Sequence, residues 1–161
     1  MLSLAAAAAR DASIGQPLPE VWPSLTRAGV RIRRSQVTMI CGQPNSGKSI
    51  LALSLAAKMR VPTLFFSADT DEHTTKVRAV ACLTGAPTAT VDSNFGIPDA
   101  AAWYEEVLDD LVDVQFCFDS APTLKDIDLE LRAFAELHGT PGPHLMVFDN
   151  LMDITGDSDN E

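Results

Sequence analysis

The chain has 161 residues, 46% of them hydrophobic and 21% charged, with 22 acidic against 12 basic side chains and a net charge of −10. This length and balance describe a single globular domain rather than a disordered chain. A pI near 4.6 argues against a surface that binds nucleic acid or anionic membrane as a whole.

In chain order, "MLSLAAAAAR" opens with an apolar run that no basic residue precedes and that is too short to cross a bilayer. It predicts a short Ala-rich helix over residues 3–10, not a secretory signal. Residues 11–25 carry Pro17, Pro19 and Pro23 and read as an extended linker or strap. Arg27, Arg31, Arg33 and Arg34 crowd into one stretch, either a solvated segment or a local polynucleotide or protein contact. "QVTMIC", 36–41, is β-branched and apolar and predicts a strand. A loop follows, then a helix over 48–59 with Leu51, Leu55 and Met59 along one face.

Residues 61–67 predict a buried strand and 71–83 a helix closed by Gly85 and Pro87. Residues 86–98 read as a loop. Asp99 is the expected cap of a helix from Ala100 to Leu111, with Trp103, Val107 and Leu111 on its apolar stripe. A strand over 112–118 follows. Thr123 and Asp126 then form a capping-box pattern before a helix presenting Ile127, Leu131 and Phe134 and ending at Gly139. "LMVFD", 145–149, predicts the last strand. Strands alternating with helices imply an α/β fold with a mainly parallel sheet. Cys41, Cys82 and Cys117 are odd in number and widely spaced; they read as reduced and buried, which points to the cytosol. His73, His138 and His144 have no metal-ligand spacing.

"GQPNSGKS" matches G-x-x-x-x-G-K-[ST] from Gly42 to Ser49. A triphosphate needs many donors converging on one point. Backbone N–H groups of Gly42, Gln43, Pro44's neighbours, Asn45, Ser46 and Gly47 can supply them, because a loop wrapped around an anion turns its amides inward. Ile50, in the first turn of the helix, shares the positive end of the helix dipole. Lys48 has the reach for the outer phosphates, and the Ser49 hydroxyl suits Mg²⁺. A second ligand is expected at the end of a neighbouring strand, and Asp149 after "LMVF" is the candidate. Hydrolysis also needs a base or a water-orienting group. Asp69, Asp71 and Glu72 lie just past a strand end that opens onto the ligand crevice. The structural alternative is that Thr70 or Asp71 caps the next helix and the remaining acids favour its dipole.

Four stretches together resemble the RecA-like ATPase fold, most of all the ATPase domain of DnaB-type replicative helicases and their phage relatives. They are "VTMICGQPNSGKSILALSLA", "TLFFSAD", "FCFDSAPTLKDIDLELRAF" and "HLMVFDNL", in the family's order across residues 24–152. The resemblance implies a three-layer P-loop fold in which Gly42 to Ser49 bind phosphates and Asp149 holds the Mg²⁺ shell. Asp69 stands where the family has a catalytic glutamate; it is one methylene shorter, so it would either act on water less directly or give way to Glu72. In the family the chain continues with a helix, a central strand bearing a γ-phosphate sensor, DNA-contacting loops and an arginine finger. This chain is therefore expected to be the N-terminal part of such a core. Residues 1–23 would form a helix and linker, 24–152 the ATP-binding portion and 153–161 a disordered acidic tail.

The function so implied is ATP binding and hydrolysis with Mg²⁺, by a helicase-like or recombinase-like motor in DNA replication or recombination. The setting would be the cytoplasm of a bacterial or phage-infected cell. A homo-oligomer or a second polypeptide would complete the core, DNA would be contacted through the assembly, and no membrane is involved. Two other readings compete: a P-loop nucleotide or small-molecule kinase, and a non-catalytic ATP-dependent assembly or loading subunit.

Overall fold

A computed structural model of the chain describes residues 15–151 and 154. The helix expected over 3–10 lies outside them, as does the acidic tail apart from Ile154. The described residues divide into two units that meet in sequence between Cys41 and Gly42.

In the first unit, residues 15–18 run antiparallel to 32–34. Pro17 bridges Arg33, Leu18 N–H donates to the Ile32 carbonyl at 2.8 Å, and Arg34 N–H donates to the Gln16 carbonyl at 2.9 Å. The proline-rich strap is therefore tied down by backbone pairing. Between its arms lies helix α1, Pro23–Arg27, with proline in its first turn, where a missing N–H costs nothing. Residues 36–41 form no strand, contrary to expectation. Val37 is 96% exposed and Met39 70%. A β-branched composition favours extended backbone, but a strand also needs a paired neighbour and a buried face. Cys41 is likewise exposed rather than buried, while Cys82 and Cys117 are half-buried; all three are free thiols.

The second unit is an α/β sandwich. Its elements are α2 (Lys48–Met59), β1 (Thr63–Ser67), α3 (Glu72–Thr84), α4 (Thr88–Asn94), α5 (Pro98–Leu108), a 3₁₀ turn (Asp109–Leu111), β2 (Val114–Cys117), α6 (Leu124–His138) and β3 (Leu145–Asp149). The three strands are all parallel, in the order β2-β1-β3, as the sequence pattern predicts. The central strand β1 is buried along its whole length, so both of its faces are apolar. Phe65 packs with Leu53, Ala56 and Ala57 of α2 and Ala79 of α3. Leu64 and Phe66 point the other way and pack on Phe134 of α6, with Ile127 and Leu131 beside it. This period-2 alternation gives helices on both faces and three layers.

Helix ends follow local chemistry. The Thr123–Asp126 capping box is present in both directions, and α6 stops at Gly139 in the left-handed conformation. Three expectations about the helices fail. Residues 88–94 are helical, not loop, because Val91 is fully buried against Val77, Val80 and Tyr104. Tertiary packing there outweighs a run of poor helix formers. Helix α5 begins at Pro98 with Ile97 as its cap residue, so Asp99 sits in the first turn rather than at the cap. Its buried face is also turned by one residue: Tyr104 is 3% exposed while Trp103 is 50% exposed.

Candidate functional site

The loop from Gly42 to Gly47 joins the start of α2 through two left-handed residues, Asn45 (φ 60°) and Gly47 (φ 86°). Gly47 is the cap residue of α2, and only glycine adopts that φ without strain. At Gly42 a Cβ would lie 2.6 Å from Ser46 Oγ, so a side chain there would push the Ser46 hydroxyl aside. Gly42, Gln43, Pro44, Asn45, Ser46 and Gly47 are all exposed, as is Ile50. The Lys48 ammonium folds over the loop and donates to the carbonyls of Gly42 (3.2 Å) and Gln43 (3.0 Å).

Asp149 ends β3 opposite Ser67, the last residue of β1, in parallel register. That register brings the ends of both strands to the start of α2. The Ser49 hydroxyl donates to Asp149 Oδ1 at 3.2 Å. A hydroxyl and a half-buried carboxylate make an oxygen-only donor pair suited to a small hard cation. Burial pushes the Asp149 carboxyl above its ordinary range; the Ser49 hydrogen bond pulls it down, the Asp69 charge pushes it up, and Arg78 and Lys48 pull it down.

The turn after β1 is held from several sides. Ser67 Oγ donates to the Thr70 carbonyl at 3.0 Å, Thr70 Oγ1 to Asp69 Oδ1 at 3.0 Å, and Arg78 Nη1 to Thr70 Oγ1 at 3.2 Å. Asp71 is the cap of α3 and accepts from the Thr74 N–H at 2.9 Å and the Thr74 hydroxyl at 2.8 Å. Those bonds hold its carboxyl below the ordinary range. Asp71 therefore has the structural role. Glu72 stands exposed in the first turn of α3. A small, partly open cleft is lined by Ser49, Ser67, Thr70, Thr75, Arg78 and Asp149, with Leu53 and Phe65 beside them.

The structure thus brings Lys48, Ser49, Asp149 and Asp69 to one end of the sheet, with Glu72 exposed in the first turn of α3. Sequence reasoning did not single out Arg78. The signal was there: Asp71, Thr75 and Arg78 are spaced i, i+4, i+7, which puts them on one face of α3. Among the described residues no cluster of three or more His, Cys, Asp or Glu side chains could hold a metal ion by itself. No described helix is long and apolar enough to cross a membrane.

A family model described as an AAA domain matches residues 6–161. The Gene 65 protein of Mycobacterium phage L5 is 38% identical over 151 residues, a match covering 91% of this chain and 54% of that protein. The Gene 65 protein of Mycobacterium phage D29 is 31% identical over 129 residues, covering 77% of this chain and 54% of its own length. The chain spans about half the length of these curated relatives. No solved structure matches it.

Proposed function

Because this chain belongs to the AAA-domain family of P-loop ATPases, we propose that residues 42–50 hold the triphosphate of ATP, and that Ser49 and Asp149 would hold its Mg²⁺. We propose further that ATP hydrolysis here drives a helicase-like or recombinase-like motor, of the DnaB type, in DNA replication or recombination. The observation that carries the site is the 3.2 Å approach of Ser49 Oγ to Asp149 Oδ1 beside the Lys48 loop. The motif alone supplies half of a nucleotide site; the approach supplies the other half from a residue far along the chain.

Mg²⁺ held by Ser49 and Asp149 would supply charge neutralisation to the triphosphate. The protein's own groups do the rest. Lys48 exchanges the Gly42 and Gln43 carbonyls for phosphate oxygens. The loop amides and the N-terminus of α2 face the same anion. Asp69 accepts a proton from the attacking water; the water oxygen bonds to the γ-phosphorus, the bond to the β-phosphate oxygen breaks, and ADP and phosphate depart.

The motor works as a homo-oligomer or with a second polypeptide, and meets DNA through that assembly. The phage origin of both relatives supports the cytoplasm of an infected bacterial cell as its setting. The test is titration calorimetry of ATP with and without Mg²⁺ on the parent and on Lys48→Ala. Mg²⁺-dependent binding that weakens at least tenfold in the variant is the expected result (about 1.4 kcal/mol for each factor of ten). Equal affinity in the two proteins would refute the site.

A further inference from the structure

We propose that Arg78 is a positioning residue for hydrolysis, fixing the Asp69 carboxylate through the Thr70 hydroxyl. The proposal rests on the ATPase reading above and names a residue that neither the phosphate-loop motif nor the metal strand contains.

The relay has a fixed polarity. A guanidinium has donors and no acceptor. When Arg78 Nη1 donates to Thr70 Oγ1 at 3.2 Å, that oxygen must accept. The single hydroxyl proton is then free to point at Asp69 Oδ1, 3.0 Å away. One carboxylate oxygen is thereby held, and Oδ2 is left to take a proton from water. The Thr70 main chain is pinned independently by Ser67 Oγ at the end of β1. The relay thus hangs on the central strand at one end and on α3 at the other.

Electrostatics explain why such a device is useful. The Asp69 charge acts on Asp149, and like charges at one site repel. An exposed aspartate would otherwise swing away from that repulsion into solvent. Arg78 is half-buried, lines the same cleft as Asp149 and makes no ion pair among the described residues. Its charge acts on Asp149. The neutral Thr70 hydroxyl in between lets Arg78 orient the carboxylate without a direct ion pair.

The experiment is single-turnover hydrolysis of MgATP with the full chain in excess, together with equilibrium MgATP binding. The proteins are the parent, Arg78→Gln, Thr70→Val, Thr70→Ser and the Arg78→Gln/Thr70→Val double variant. Glutamine can accept the Thr70 proton and reverse the relay; valine removes it without changing shape. The expected result is a roughly ten- to hundredfold slower chemical step in Arg78→Gln and Thr70→Val, the scale of a misplaced catalytic group. MgATP affinity should stay within about threefold of the parent, which also shows that the variants fold. The double variant should be no slower than the slower single one, and Thr70→Ser should hydrolyse near the parental rate. Additive losses, or a parental rate in Thr70→Val, overturn the relay. So does a loss of affinity in Arg78→Gln as large as its loss of rate, which would make Arg78 a phosphate ligand. A parent that binds MgATP without turning it over overturns the relay and leaves the binding site standing; a parent that does not bind overturns both.

Discussion

Ser49 Oγ donates a hydrogen bond to Asp149 Oδ1 at 3.2 Å across 100 residues of sequence. The bond exists because β3 lies parallel to β1 and ends level with it, while α2 begins at the same end of the sheet. Burial and the Asp69 charge both oppose ionisation of Asp149, so the folded carboxyl titrates above its unfolded value. For an acid, that sign means stability is lost as pH rises through the raised folded value. Without Mg²⁺, Asp149→Asn is therefore expected to melt higher than the parent at pH 7, since an amide oxygen still accepts from Ser49. With MgATP the order should reverse, because only the parent gains the metal's share of binding energy. Scanning calorimetry with and without MgATP checks both halves. A variant that melts lower in both conditions would mean that Asp149 is a structural hydrogen-bond acceptor only.

Asp69 and Glu72 compete for the role of base, and their surroundings separate them. The Asp69 charge acts on Asp149, and its Oδ1 is held by Thr70. Glu72 lies beyond the cap residue Asp71, in the first turn of α3. Asp69→Asn is expected to slow hydrolysis by about 10²–10⁴-fold, the usual worth of a general base. Glu72→Gln should stay within a fewfold of the parent. Rapid-quench assays on both variants decide, and the reverse ranking would transfer the role to Glu72.

What the sequence discloses here is what short-range chemistry determines. The start of α2 after Gly47, the capping box at Thr123 and Asp126, and the Gly85 and Gly139 helix stops all depend on residues a few positions apart, and all appear where expected. The unbroken apolar run through Leu64, Phe65 and Phe66 likewise anticipates a buried strand, and the strand is buried along its length. Long-range neighbours decide the rest. "QVTMIC" has strand composition, yet nothing local tells whether a ladder partner is present. Thr88–Asn94 has weak helix propensity and is helical because Val91 finds a buried seat. Arg78 looks like any helix-surface arginine until the turn holding Thr70 folds back against it.

The two helix caps make an acid prediction. Asp71 is held low by the Thr74 N–H and hydroxyl, and Asp126 by the Thr123 hydroxyl and N–H. A depressed carboxyl contributes stability that is present above the unfolded value, near pH 4, and is lost as pH falls through the folded value. Urea midpoints of the parent should therefore fall on acidification below about pH 4. The Asp71→Asn/Asp126→Asn chain should start less stable at pH 7 and show a shallower fall. Thr123→Ala, which removes the hydroxyl half of the box, should cost about 1 kcal/mol at neutral pH. Parallel curves for parent and double variant would mean that neither carboxylate is coupled to folding.

The adjacent aromatics Trp103 and Tyr104 test the corrected face of α5. Size and hydrophobicity favour Trp103 as the anchor, but it is half exposed, with its ring centroid 5.2 Å from that of Tyr104. Tyr104 is buried among Val77, Val80 and Val91, tilts against Phe95 at 5.0 Å, and accepts a hydrogen bond from Asn94 Nδ2 at 3.2 Å. Its ring is thus the peg that holds α4 and α5 to α3. Truncating a buried aromatic leaves a cavity as well as lost transfer energy, so Tyr104→Ala should cost about 3–5 kcal/mol. Tyr104→Phe keeps the packing and should lose about 1 kcal/mol for the hydrogen bond. Trp103→Ala should cost less than Tyr104→Ala by about 2 kcal/mol or more, because much of the indole already meets water. Urea denaturation of the three variants gives the ranking. If Trp103→Ala proved the most damaging, the helix would be rotated by one residue, and the packing of Val91 and Phe95 around Tyr104 would have to be redrawn with it.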